Sequence, residues 1–133
     1  MTQQTRLEFS LLAMRLTVFL VMAVWTLDKF VNPGHAAAVY EKFYFIPGLG
    51  SGLITVIGLA ELLLLLAFVA GLARRWTYGA VLLLHGVSTL SPLALYFSPF
   101  EGSNLLFFAA WPMLAACLAL YLLRDADRRL TLG

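Results

Sequence analysis

Glu61, in GLAELLLLLAFVAG, and His85, in AVLLLHGVSTL, are ionisable residues set in the middle of long apolar runs. A charged side chain at the centre of a bilayer costs about 2.5–3.5 kcal/mol on insertion scales, so it persists where it faces partner groups or does work. A carboxyl group and an imidazole at that depth can hold a proton, exchange it with a polar group of a lipid-soluble molecule, or pair with a cation. Each also has a structural role open to it. A buried carboxyl group can lock one helix packing, and a neutral histidine can simply bond a carbonyl or hydroxyl.

Other polar residues fall on the same faces. Arg15, Met22, Thr26 and Lys29 share one side of the first apolar run, because the fourteen residues from Arg15 to Lys29 are close to four turns of 3.6. Asp28 points to another side, nearer the outer surface. Arg15 is placed either to snorkel to water or to pair with Glu61, and Lys29 to snorkel at the opposite boundary. In the third run Tyr78, His85, Ser88, Thr89 and Pro92 recur at spacings of three, four or seven, which makes one stripe facing away from lipid. Gly58, a turn before Glu61, lets a neighbouring helix approach. These positions predict Glu61 and His85 facing each other across the second and third runs, with Arg15 as the nearest basic side chain. His35 has no second histidine nearby, so no metal site is expected there. Cys117, the sole cysteine, reads as a small apolar filler, and Trp25 and Trp111 read as packing residues.

The elements that must position these residues are set by composition. Of 133 residues, 62% are hydrophobic and 12% charged, against about 25% charged in an ordinary soluble domain. The chain therefore reads as one integral membrane domain, with the lipid bilayer as its surroundings. Spans of about 20 residues cross about 30 Å of hydrocarbon. Four are legible, at about 9–30, 51–72, 76–97 and 104–123. Without water to satisfy backbone groups at that depth, helices are the economical solution, and the dyad alternation of a barrel is absent. The predicted fold class is all-α, a four-helix transmembrane bundle. The connection VNPGHAAAVYEKFYFIPGLG is too aromatic for a slack linker, and reads as a short amphipathic helix on the outer face between the first and second spans.

Arg6, Arg74, Arg75, Arg124, Arg128 and Arg129 fall on one side of such a bundle. That asymmetry places both termini in the cytoplasm, in a multi-pass protein of a bacterial-type inner membrane. Asp28 and Lys29, lying between the first apolar run and Ala36, Ala37 and Ala38, disfavour a cleaved secretory signal. A net charge of +2, with its arginines spread along the membrane edge, argues against a nucleic-acid partner. One cysteine excludes an internal disulfide, a CxxC redox pair and a thiolate-rich metal site.

The run RLTVFLVMAVWTLDKF, opened by Arg15 and closed by Lys29, is followed by Asn32 and Pro33, an aromatic loop ending in Pro47 and Gly48, and GLAELLLLLAFVAGLARRW with Glu61 and Gly71. From about Arg15 to His85 this pattern resembles the DoxX-like family of small four-helix membrane proteins. One departure is that Trp25, Thr26, Leu27 and Asp28 stand where a glycine often precedes the first-span lysine. The resemblance implies a membrane subunit of the kind named from a thiosulfate:quinone oxidoreductase, or a membrane partner of soluble redox proteins.

The expected function is thus a small inner-membrane subunit of a redox or respiratory assembly. Arg15, Glu61 and His85 form its candidate intramembrane site, with Asp28, Lys29, Tyr78, Ser88 and Thr89 as secondary candidates. No haem, flavin or iron-cluster motif is evident, so a non-catalytic subunit is favoured over an independent enzyme, and a bound quinone is the one cofactor to consider. Two other readings stay open. One is an interaction or assembly protein with structural polar residues, docking a protein partner or a second copy through small residues such as Ala67 with Gly71 and Ala115 with Ala119. The other is a small-solute carrier.

Overall fold

The computed structural model describes all 133 residues and is helical throughout, with no strand. Helix α1 spans Gln3–Val31 and is capped by Thr2, whose hydroxyl accepts the Thr5 N–H at 3.1 Å. Its buried residues Leu11, Arg15, Val18, Thr26 and Lys29 form one stripe at helical spacing. Asn32 ends α1 and starts α2, Pro33–Tyr44: its side chain accepts the His35 N–H, and Pro33 opens the helix where a missing N–H costs nothing.

Phe45 closes α2 in the left-handed conformation (φ 59°), and Pro47 with Gly48 (φ 76°) turns the chain into α3, Ser51–Val69. Gly71 (φ 71°) and Ala73 (φ 46°) make the tight reversal into α4, Arg74–Leu90. Two 3₁₀ segments, Leu93–Phe97 and Asn104–Ala109, lead to α5, Ala110–Leu122.

Three stretches are long and apolar enough to cross a membrane: Gln3–Val31, Ser51–Val69 and Asn104–Leu122. Helix α4 has 17 residues, opens on Arg74 and Arg75, and carries His85. The third and fourth predicted spans are less regular than expected, and proline is the reason in both. Pro92 has no N–H to continue α4, so 93–97 tightens into a 3₁₀ turn. Pro112 fits only among the free N–H positions of a first turn, so regular α-helix begins at Ala110 and not at Asn104. The second span ends at Val69 because the turn at Gly71 and Ala73 follows at once.

Helices α1, α3, α4 and α5 enclose one core of Leu11, Val18, Leu65, Phe68, Tyr78, Val81, Cys117 and Leu120. Phe68 and Tyr78 meet edge to face at 5.1 Å. Helix α1 packs chiefly on α3, and α4 on α5. Large apolar side chains such as Leu20, Leu63, Leu83 and Leu106 point outward instead, as they do where the solvent is lipid.

Candidate functional site

The buried polar residues divide into two clusters, one at the carboxyl-terminal end of α1 around Lys29 and one near its middle around Arg15. Lys29 and Arg15 are fourteen residues apart, which is about 21 Å along a helix, so one acid cannot serve both. Each has its own.

In the first cluster, Lys29 Nζ donates to Glu61 Oε2 at 3.1 Å, and the Thr26 hydroxyl donates to the same oxygen at 3.1 Å. Gly58 makes this approach possible. A Cβ there would stand 2.9 Å from Phe30 Cζ and 3.3 Å from Lys29 Cβ. Helix α2 crosses this end of the bundle and brings the Tyr40 ring to 5.8 Å from Lys29 Nζ. Burial, and then the negative charge of Glu61, push the Tyr40 hydroxyl up to about 12. The lid is held across the top by Tyr44, which shares a 2.7 Å hydrogen bond with Ser88 of α4, and by Phe43, whose ring lies 5.6 Å from that of Phe107.

The second cluster closes the other end of the bundle. Arg15 Nη1 donates to Asp127 Oδ1 at 2.6 Å, and Nη2 donates to the carbonyls of Arg129 and Leu130. The Tyr78 hydroxyl donates to Asp127 Oδ2 at 2.6 Å, and Arg74 Nη1 to the Asp127 carbonyl. Leu132 N–H bonds to the Ala70 carbonyl at 2.8 Å, and Thr131 fills the space left by the absent side chain of Gly71. Residues beyond α5 therefore fold back as a strap over the amino-terminal half of α1, the end of α3 and the start of α4.

The sequence-predicted site is rearranged accordingly. Glu61 does not bond His85: the carboxylate sits on the α3 face shared with Gly58, toward α1. His85 faces α5, where its Nε2 lies 2.9 Å from the Ala110 carbonyl. A carbonyl only accepts, so Nε2 carries the proton and the ring is a neutral or cationic donor. Arg15 neither snorkels nor meets Glu61; it is fully buried against the strap.

Tyr78 belongs to the Arg15 cluster. Thr89 is buried and donates to the His85 carbonyl of its own helix at 2.7 Å. Ser88 is on the exposed side of the stripe, where it meets Tyr44. Asp28 pairs with His35 at 2.6 Å, away from both clusters. Gly71, read as a docking position for another helix, is occupied by the chain's own Thr131.

Three participants were not singled out from the sequence as site residues: Thr26, Tyr40 and Asp127. The signal for Asp127 was present, since an arginine set among apolar residues needs an acid nearby, and the expected four-span arrangement put only Glu8, Asp125 and Asp127 at its end of the bundle. No three His, Cys, Asp or Glu side chains converge as metal ligands would. Comparison with protein-family profiles, curated proteins and solved structures finds no match to this chain.

Proposed function

We propose that this chain is a small multi-pass subunit of a redox or respiratory assembly in a bacterial-type inner membrane, and that its Lys29–Glu61 pair contacts a quinone-like molecule or relays protons. The contrast between the two ion pairs carries this reading. The side chains of Arg15 and Asp127 are 0% exposed, and the strap engages both terminal guanidinium nitrogens, leaving only Arg15 Nε without a partner. Those of Lys29 and Glu61 remain 11% and 23% exposed beneath the α2 lid. Sealing an ion pair costs desolvation that only complete hydrogen bonding offsets, and this pair is incomplete: Lys29 Nζ makes one hydrogen bond and Glu61 Oε1 makes none, so both keep capacity for a ligand. An ammonium, a carboxylate, a threonine hydroxyl and a tyrosine left within reach of a small molecule can instead orient a carbonyl or hydroxyl and exchange its proton.

In this proposal α4, extended by Leu93–Phe97, is the fourth transmembrane element, and the arginine-rich end is cytoplasmic. The DoxX-like resemblance supports the same reading, since Arg15, Lys29 and Glu61, which carry it, are the basic and acidic members of the two clusters. The pairing of Glu61 with Lys29, and not with His85, moves the proposed site toward the α2 side.

The test is gentle extraction of wild type and Glu61→Gln, followed by mass spectrometry of retained small molecules and proteins. The proposal expects an isoprenoid quinone, with soluble redox proteins, retained by the wild type, and at least tenfold less quinone on Glu61→Gln at an unchanged unfolding midpoint. Equal retention by both proteins would remove the site. A stoichiometric partner without any quinone would favour the assembly reading.

A further inference from the structure

The clearest cluster outside those two lies where α1 meets α2. Asp28 Oδ2 is 2.6 Å from His35 Nδ1, and the turn between α1 and α2 is what brings residues seven apart together. A carboxylate only accepts, so Nδ1 carries the proton and, in the neutral imidazole, Nε2 is left as a free acceptor. The start of α2 holds this residue in place: the His35 N–H is taken by the side chain of Asn32, which caps the helix just before Pro33. Trp25, one turn before Asp28, stacks near the imidazole with centroids 6.3 Å apart and planes inclined by 22°. Val24, Trp25, Asp28 and His35 together line a cleft of about 200 Å³.

We propose that this cleft binds the planar, hydroxyl-bearing ring of an amphiphile that enters from the lipid. Each component selects one property of that ligand. The indole and imidazole present flat faces to a ring. An imidazole with its proton fixed on the Asp28 side accepts a hydrogen bond from a hydroxyl group, a phenol or hydroquinone being the simplest chemistry. Val24 and Trp25, 58% and 55% exposed, point to where lipid would lie, so an apolar tail can run along α1 while the ring stays at the polar end. The volume is below the 300–1,000 Å³ of pockets that swallow whole drug-sized ligands, which suits a ring alone. Aromatic rings with a polar tip concentrate at this depth of a membrane in any case.

The site rests on the membrane-embedded reading above, and not on the Lys29–Glu61 pair, with which it shares no residue. The test titrates wild-type protein in lipid nanodiscs with decyl-substituted hydroquinone under anaerobic, reducing conditions. Tryptophan fluorescence quenching is read after subtracting the signal of Trp25→Phe, and bound ligand is counted by mass. Saturable binding is expected, weakened at least tenfold by His35→Ala and by Trp25→Ala. Trp25→Ala removes an exposed ring face while keeping the Asp28–His35 and His35–Asn32 hydrogen bonds of the α1–α2 elbow, so it separates ligand contact from a clamp that merely holds the turn. Glu61→Gln should leave the Trp25-dependent quenching unchanged, because that signal reports only the cleft beside Trp25 and His35.

Non-saturable partition, or binding undiminished in both His35→Ala and Trp25→Ala, would overturn the site. Binding lost only in Glu61→Gln would overturn it too, while favouring the Lys29–Glu61 reading.

Discussion

At the scale of single residues, the two ion pairs should respond differently to the same kind of substitution. Removing one partner of a fully buried pair leaves an uncompensated charge, which costs about 3–5 kcal/mol. Asp127→Asn is therefore expected to lower the unfolding free energy of the detergent-solubilised protein by about that much, whereas the double variant Arg15→Met, Asp127→Leu should recover most of the loss, since apolar replacement of a buried pair is often neutral. A change below about 0.5 kcal/mol, typical of surface substitutions, would show that Arg15 finds another partner. Tyr40 gives a second expectation, in pH. Its hydroxyl ionises near 10 in the unfolded chain and about 12 in the folded one, so folding favours the neutral form. The stability this contributes is complete below pH 10 and is lost as pH rises from 10 toward 12. Alkaline titration followed by phenolate absorbance should show one late-titrating tyrosine missing in Tyr40→Phe, and an ordinary midpoint for Tyr40 would contradict its burial under Glu61. Both pairs expose what residue types alone could reveal. Burial of Arg15 and His85, and partial burial of Glu61, was legible from their apolar surroundings. Their partners were not, because Asp127 lies beyond the last helix and Glu61 chooses between α1 and α4 by a rotation of α3 that spacing within α3 does not determine.

At the scale of helices, Gly58 sets how closely α1 and α3 meet, and that closeness sets the Lys29–Glu61 distance. Alanine at a helical glycine gains about 1 kcal/mol of propensity, and its Cβ would press on the movable end of Phe30 at 2.9 Å. These effects are similar in size, so Gly58→Ala is expected to be near neutral. Gly58→Leu adds volume that Lys29 Cβ cannot yield to, and overpacking should cost about 1–3 kcal/mol. Denaturant or thermal unfolding of both variants checks this, and a neutral Gly58→Leu would mean that the helices are free to separate. Four helical runs and a short helix between the first two were readable because hydropathy and the aromatic cluster at Tyr40, Phe43, Tyr44 and Phe45 act locally. Helix ends were less readable. Pro92 and Pro112 sit inside apolar stretches whose hydropathy is continuous, and only hydrogen bonding reveals that regular α-helix stops before one and starts just before the other.

At the scale of the whole molecule, one end gathers charge from three distant parts of the chain. Arg129 pairs with Glu8 at 3.4 Å, Arg15 with Asp127, and Arg74 with the Asp127 carbonyl, so the start of α1, the α3–α4 turn and the carboxyl-terminal strap meet together. The other end holds Glu41, Lys42 and Glu101, with no arginine. If that asymmetry sets orientation as it does for membrane helices generally, the strap end is cytoplasmic and α4 returns the chain to the outside. Single cysteines at Arg75 and Glu101 test this directly, because the native Cys117 is buried and gives little background. A membrane-impermeant maleimide added to intact cells is expected to label the residue-101 cysteine and to reach the residue-75 cysteine only after permeabilisation. Labelling of residue 75 from outside would invert the bundle; labelling of neither would place residue 101 on the cytoplasmic side and remove α4 as a span. The strap makes the test sharper. Deleting residues 127–133 takes away the only acid that meets Arg15, so the truncated protein should lose stability at least as severely as Asp127→Asn while keeping the same labelling pattern. Orientation depends on the number of arginines at that end, whereas the fold there depends on one aspartate reaching back to one of them.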